Sequence, residues 1–217
     1  MDGSGTITPD NFKNTQKFVN NIQATIGLSN NHNKAAVVTY GDVARKEIQC
    51  NTYSEMTYFK AAVDNMVKHG SRTNTRDGLE KGQELLTSHG CGDGYAQKII
   101  VLLTDGIANV GKGGEKGLVD AAKAIQDAGT IILVVAIGQF TDRQLLKMVD
   151  KENIFRTDAD MDGFSALIED KFINKVKTGI CGNVKTTTGY YSQNYSYIFF
   201  SIQNVLKIEL LNINSCE

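Results

Sequence analysis

The sequence predicts an α/β fold with a doubly wound, mainly parallel central sheet flanked by helices. Three observations point there. Two near-continuous apolar runs, Lys98 to Thr104 and Ile131 to Ile137, are rich in β-branched residues, as strands covered on both faces are. Segments with apolar residues at helical spacing alternate with strand-like runs along the chain. The first apolar run ends in Thr104-Asp105-Gly106. A buried strand that delivers an acid at its carboxyl end is how open α/β sheets build sites.

Thr8-Pro9-Asp10 opens the first helix with a hydroxyl cap, a proline in the first turn and an acid at the helix amino end. Phe12, Val19, Ile22 and Ile26 then mark its buried face. Lys34 to Tyr40 reads as a buried strand, and Arg45 to Cys50, which alternates weakly, as an edge strand. Met56, Phe59, Val63 and Met66 define a second amphipathic helix. After the polar loop Gly70 to Thr75, a third helix runs from Thr75 to Ser88 with Leu79, Leu85 and Leu86. Cys91 to Gly94 is a turn and Gly111 to Gly114 a flexible loop. Leu118, Ala121, Ala122 and Ile125 form a helix that stops at Gly129. Leu145, Leu146 and Val149 sit on a short helix, and Asn153 to Thr157 is a short strand. Phe164, Leu167, Ile168 and Phe172 lie on a closing helix that reaches about Lys177.

The chain has 217 residues, 41% hydrophobic and 22% charged, enough for one domain with a sizeable core. Net charge is −1 with no basic block, so nothing favours nucleic acid or an anionic membrane surface. No apolar run has membrane-spanning length, and no signal peptide stands at the start. No Cys-x-x-Cys pair occurs, which argues against a zinc site. The four cysteines, Cys50, Cys91, Cys181 and Cys216, allow three pairings. Cys50 and Cys91, both at element edges, are one candidate pair.

From Gly182 the texture changes to Asn, Ser, Thr and Tyr. Residues 181–217 are accordingly set apart from a domain at 1–180 as an unassigned tail, part of a next module or non-native. Within it, Tyr195 to Leu211 has the character of a strand pair. Asn194-Tyr195-Ser196 is a glycosylation acceptor pattern.

The candidate functional residues start at the beginning of the chain. Asp2, Ser4 and Thr6 alternate, and where a strand turns into a loop such residues converge on one point. Gly3 and Gly5 allow the backbone to fold closely around it. One carboxylate and two hydroxyls make a small, hard, oxygen-rich cluster suited to Mg²⁺ or Mn²⁺. The polar loop Gly70 to Thr75, ahead of a helix, and the apolar run Ile99 to Leu103 that ends in Thr104-Asp105-Gly106 look made to complete it. With only two carboxylates facing a divalent cation, the ion keeps much of its charge and an open position, which a partner's Glu or Asp can fill.

Asp-Gly-Ser-Gly-Thr, then Thr73-Asn74-Thr75, then Leu102-Leu103-Thr104-Asp105-Gly106, in that order, resembles the von Willebrand factor type A domain, over about residues 1–180. That family includes integrin inserted domains and domains of matrilins and several collagens. The resemblance implies the Rossmann-like fold and a metal-ion-dependent adhesion site. In it Ser4 and Thr6 bind the metal directly, Thr73 joins in the ligand-bound state, and Asp2 and Asp105 act largely through water. Thr6 stands where the family usually has Ser, so the oxygen is kept and a methyl added. Arg72, Arg76 and Gly106 lie beside the set as candidates for ligand contact. The resemblance also implies a non-enzymatic, extracellular, secreted or ectodomain module with a protein ligand, collagen or another matrix component among the candidates. It implies a cysteine partner for Cys181 ahead of the first strand.

The family has four or five apolar residues before the first Asp, and here only Met1 precedes it. The first strand is therefore expected to be truncated and the chain a fragment. Loss of that strand should remove several buried side chains, at about 1.5–3 kcal/mol each, and leave neighbouring backbone groups unpaired.

Three other readings compete. Asp158-Ala159-Asp160-Met161-Asp162-Gly163 with Glu169 matches an EF-hand calcium loop. The strand expected just before it and the polar Ser165 argue instead for a solvated acidic loop. Asp2 to Thr6 also resembles the nucleophile motif of haloacid-dehalogenase-type phosphatases, but Ser4 stands where the acid–base carboxylate belongs. An intracellular type A scaffold is the milder alternative. His32, His69 and His89 are scattered near element ends and read as surface or capping residues.

Overall fold

The computed structural model describes residues 9–26, 28, 34–69, 72–88, 91, 97–105, 108, 110–138, 142–157, 171–175, 196–202 and 205–209. Helix α1 (Pro9–Ile26) starts at the predicted proline, with Asp10 in its first turn. Its Phe12, Val19 and Ile22 are buried as their spacing requires. Strands β1 (Val37–Tyr40) and β2 (Ala44–Ile48) form an antiparallel pair with β2 at the sheet edge. Helix α2 (Met56–Asp64) buries Phe59 and Val63, and Met66 falls beyond its end. Helix α3 (Thr75–Thr87) is followed by β3 (Gln97–Thr104), α4 (Gly114–Asp127) and β4 (Thr130–Ile137). A short helix α5 (Leu145–Met148) and a 3-10 turn (Lys151–Asn153) lead into β5 (Ile154–Thr157). Residues 171–175, α6, are the described part of the closing helix, and Phe172 and Ile173 in it are buried.

Several sequence boundaries shift by a few residues. The strand read from Lys34 begins at Val37, and the one read to Cys50 stops at Ile48, because Cys50 belongs to a turn. On α5, Leu146 is 49% exposed while Val149, beyond the helix, is buried. The helix over Leu118 to Ile125 ends as expected, with Gly129 at φ 83°. Phe164, Leu167 and Ile168 lie outside the described residues.

Among the described residues the sheet has seven strands in the order β2-β1-β6-β3-β4-β5, with β7 paired to β6. β3 and β4 run parallel in register from Lys98↔Thr130 to Thr104↔Ala136, and β5 continues parallel to β4. Ile99 to Leu103 and Ile132 to Ile137 are all buried, which is why these strands read as unbroken apolar runs rather than alternating ones.

The middle position is taken by β6 (Ser196–Ile202), which runs parallel to β3 from Gln97↔Ser196 to Leu103↔Ile202 and meets β1 at Val37↔Phe200. It returns as β7 (Val205–Glu209), antiparallel. The strand pair read at Tyr195 to Leu211 is thus present. For β3 the unpaired edge expected at the sheet centre does not arise, because β6 pairs along it, whereas β1 meets β6 at one residue pair. The sheet draws strands from both sides of residue 180.

Cys50 and Cys91 are joined in a disulfide, 41 residues apart, with Cα atoms separated by 5.0 Å. Cys181 and Cys216 lie outside the described residues.

Candidate metal centre

Parallel strands place their carboxyl ends on one side of the sheet, so β1, β3 and β4 deliver Gly41, Asp105 and Gly138 to the same end. Asp105, the first residue after β3, is half-buried there. Thr73 lies immediately before α3, with 2% of its surface exposed.

The backbone around Thr73 is fixed by three neighbours. The Asn74 N–H donates to the Gly41 carbonyl at 2.8 Å, and the Asn74 side-chain amide donates to the Asp42 carbonyl at 3.3 Å. The Asn74 side chain also caps α3 by accepting from the Asp77 N–H at 3.2 Å. Asp77 in turn accepts from the Ala44 N–H at 2.6 Å. The Thr73 carbonyl accepts from the Val110 N–H at 3.3 Å. Thr73 is therefore held between the turn after β1 and the segment after Asp105. The Gln144 side chain accepts from the Ala108 N–H at 2.8 Å and ties that same segment to the loop before α5.

The two arginines beside Thr73 have partners within the chain. Arg72, largely exposed, donates to Asp42 at 2.6 Å. Arg76 donates to Glu80 at 2.8 Å and to the Lys112 carbonyl at 2.6 Å. The second bond depends on Gly117. A Cβ there would lie 2.1 Å from the Lys112 oxygen and 2.8 Å from the Arg76 guanidinium.

Asp2, Ser4, Thr6, Gly106 and Asn194 lie outside the described residues, as does the acidic loop from Asp158 to Glu169. The strand read just before that loop is β5, where an EF-hand would need its entering helix. Of the proposed metal set, the structure brings a buried threonine hydroxyl and one carboxylate to the same end of the sheet. Both are hard oxygen donors, and the chemistry fits Mg²⁺ or Mn²⁺ if three further oxygens join them. Among the described residues, no group of three or more His, Cys, Asp or Glu could hold a metal. No helix among them is long and apolar enough to cross a membrane.

Sequence reading missed the residues that position Thr73. Asn74 and Asp77 carried a signal, an Asx cap with an acid three residues on. Asp42 and Gln144 carried none, since their roles depend on which loops meet. His69, which the sequence reads as a surface or capping residue, is partly buried. Its ring is hydrogen-bonded to the Thr39 hydroxyl, which donates to Glu47 at 2.5 Å, and Glu47 stands 3.5 Å from the ring. Burial, with Arg45 nearby, pushes the His69 pKa below its ordinary value, against the pull of Glu47. The group borders an open cleft of about 360 Å³ lined also by Arg45, Lys68, Met66 and Ile48.

The family model of the von Willebrand factor type A domain matches residues 1–170. The chain belongs to that family. It is 28% identical over 153 residues to bovine (Bos taurus) matrilin-1, covering 70% of this chain and 27% of the relative. It is 32% identical over 114 residues to the mouse (Mus musculus) collagen alpha-5(VI) chain, covering 52% of this chain and 4% of the relative. The chain thus spans under a third of the length of these relatives. Among solved structures, proximal thread matrix protein 1 from the mussel byssus superposes with a TM-score of 0.67 at 26% identity, covering 79% of this chain and 43% of that one. A further structure of that mussel protein, at 17% identity and TM-score 0.69, covers 92% of this chain and 61% of that one and is described as having a zinc-occupied MIDAS motif. At that identity the second likeness speaks for the fold alone.

Proposed function

We propose that this chain is a divalent-cation-dependent protein-binding module that recognises an acidic side chain of an extracellular matrix or cell-surface partner. The observation that supports it most is the placement at one end of the sheet of Thr73, in the segment hydrogen-bonded to the turn after β1, and of Asp105, directly after β3, with Asp-x-Ser-x-Thr elsewhere in the chain to complete an oxygen-only set. When bound, a Mg²⁺ or Mn²⁺ ion supplies a Lewis-acidic position that one carboxylate oxygen of a partner can occupy. Asp2, Ser4, Thr6, Thr73 and Asp105 would hold it. The protein's part is to keep the donor set low in charge and rigidly placed. Asn74 and the Val110 N–H do this for Thr73, and β3, buried and paired on both sides, does it for Asp105.

The proposed set contains ligand and positioning groups but no activated nucleophile paired to a base, so the reading is a binding module and not an enzyme. Ser4, in place of the second carboxylate, removes the acid–base group that the phosphatase alternative needs. The Cys50–Cys91 disulfide favours an oxidising, extracellular setting over an intracellular scaffold. Matrilin and collagen relatives make a matrix component, collagen first, the partner to try.

The test is retention of the chain on immobilised collagen and other matrix proteins in Mg²⁺ and in chelator. Binding in Mg²⁺ that is lost both in chelator and in Asp105→Ala supports the proposal. Binding that survives both refutes a metal-mediated contact.

A further inference from the structure

The open cleft beside His69 lies between two walls that are held by separate contacts. One wall is β2. It is paired to β1 from Val37↔Ile48 to Tyr40↔Ala44. Helix α3 supports it from the other face, where Lys46 donates to Glu84 at 2.6 Å and the Ala44 N–H donates to Asp77 at 2.6 Å. Alternation along the strand then leaves Arg45 and Glu47 on the cleft side. The second wall is the stretch from Asn65 to His69 that follows α2. Gln16 holds its start through the Asp64 and Met66 carbonyls, and the His69 ring holds its end through the Thr39 hydroxyl. The cleft, about 360 Å³, is therefore formed before anything enters it, and its size is that of a small ligand pocket.

The groups in it are not equally committed. The one proton of the Thr39 hydroxyl goes to Glu47 at 2.5 Å, so the contact with His69 is made by the ring Nε2–H donating to the hydroxyl oxygen. Glu47, 3.5 Å from the same ring, is thus engaged within the wall. Arg45 is exposed and makes no hydrogen bond or ion pair with another described residue. Its guanidinium fork is left to a ligand. Lys68 lines the same cleft, so among the described residues two cationic side chains face one carboxylate that is already engaged. The rest of the lining is largely apolar: Ile48 is buried, Met66 half-buried and Val67 76% exposed.

We propose that this cleft is a second binding site, which takes an acidic side chain flanked by aliphatic residues in an extended segment of a partner protein. The carboxylate pairs with Arg45, Lys68 adds to the positive field, and the aliphatic neighbours cover Met66 and Val67. The two cationic side chains disfavour a metal ion here. The apolar lining offers nothing to the hydroxyls of a sulfated sugar, which makes a peptide the better match. The site needs no metal, and the inference is independent of the reading at Thr73 and Asp105.

The test is a ¹H–¹⁵N NMR titration of the full chain in chelator with the capped peptide Ac-Ile-Glu-Val-NH2. Peak shifts are expected at residues 44–48 and 65–69, saturating with a Kd on the order of 1 mM. The uncharged peptide Ac-Ile-Gln-Val-NH2 should bind about tenfold more weakly or worse, as should the glutamate peptide to Arg45→Gln, since each loses one charge-assisted pair. Val67→Glu, also at an exposed position, places a like charge at the cleft and should weaken the glutamate peptide by a similar factor. Both substitutions are at the surface and should leave the unfolding midpoint near that of wild type. Any of four outcomes overturns the inference. The glutamate peptide moves no peaks at these positions, or the glutamine peptide binds as tightly. Either variant binds the glutamate peptide as wild type does, or a sulfated disaccharide moves these peaks at concentrations where the peptide does not.

Discussion

At the scale of single residues, buried polar side chains divide by whether they find partners. Gln16, on α1, donates to the carbonyls of Val63, Asp64 and Met66 at 2.6, 3.2 and 3.1 Å, and so ties α1 to the carboxyl end of α2 and the turn after it. Gln23, about two turns further along the same helix, is fully buried and neither of its polar side-chain atoms has a hydrogen-bond partner among the described residues. The two should respond oppositely. Gln16→Ala is expected to cost about 0.5–1.5 kcal/mol, because it removes the hydrogen bonds that tie α1 to the end of α2. Gln23→Met keeps the volume, removes an unsatisfied amide and is expected to stabilise, by up to about 1–3 kcal/mol. Urea unfolding of both variants checks the signs. His69 gives a pH dependence. Its pKa is lowered in the folded state, chiefly by burial with Arg45 contributing, so the unfolded chain binds more protons near and below the ordinary histidine value of about 6.5. The stability it contributes is therefore present above that value and is lost as pH falls through the folded one. Thermal midpoints from pH 7.5 to 5 should decline for wild type, and the decline should be smaller in His69→Gln; equal slopes would show that other groups dominate. Arg45, Glu47 and Lys68 stand around the same cleft, and replacing only the histidine leaves them in place.

At the scale of elements, the positions of helices against strands set what can change. The ring of Tyr40 on β1, fully buried, lies where a Cβ on Gly78 of α3 would come within 2.9 Å of it. Its hydroxyl donates to the Leu103 carbonyl at 3.3 Å, so it cannot swing away freely. Gly78→Ala is expected to destabilise by about 1–3 kcal/mol through overpacking, and to disturb the Thr73 loop at the start of the same helix. A calorimetric midpoint within a degree of wild type would contradict this. The apolar runs that became β3 and β4, and the helical spacings that became α1, α3 and α4, were legible because burial on both faces of a strand, or one face of a helix, leaves a period in the sequence. The order of strands was not. Ser196–Ile202 reads as a strand from its own residues, but nothing local says that it lies between β1 and β3. Likewise Thr73 and Asp105 stood out by sequence, whereas the Asp42 and Gln144 contacts that position their loops link residues 32 and 36 apart.

At the scale of the whole molecule, a cation that binds only the folded state must raise its stability, by about 2.7 kcal/mol at a hundredfold excess over Kd. The disulfide adds a second constraint at this scale. It closes a loop of 41 residues between Cys50 and Cys91, and its reduction is expected to lower stability by about 2–4 kcal/mol without removing the response to metal. The most direct measurement is the thermal unfolding midpoint of the full chain in chelator, Mg²⁺, Mn²⁺ and Ca²⁺, for wild type, Asp105→Ala and Glu169→Ala. Mg²⁺ or Mn²⁺ is expected to raise the midpoint of wild type and Glu169→Ala by several degrees and to leave Asp105→Ala unmoved. A shift produced by Ca²⁺ and lost only in Glu169→Ala would place the cation in the acidic loop from Asp158 to Glu169 and contradict the account.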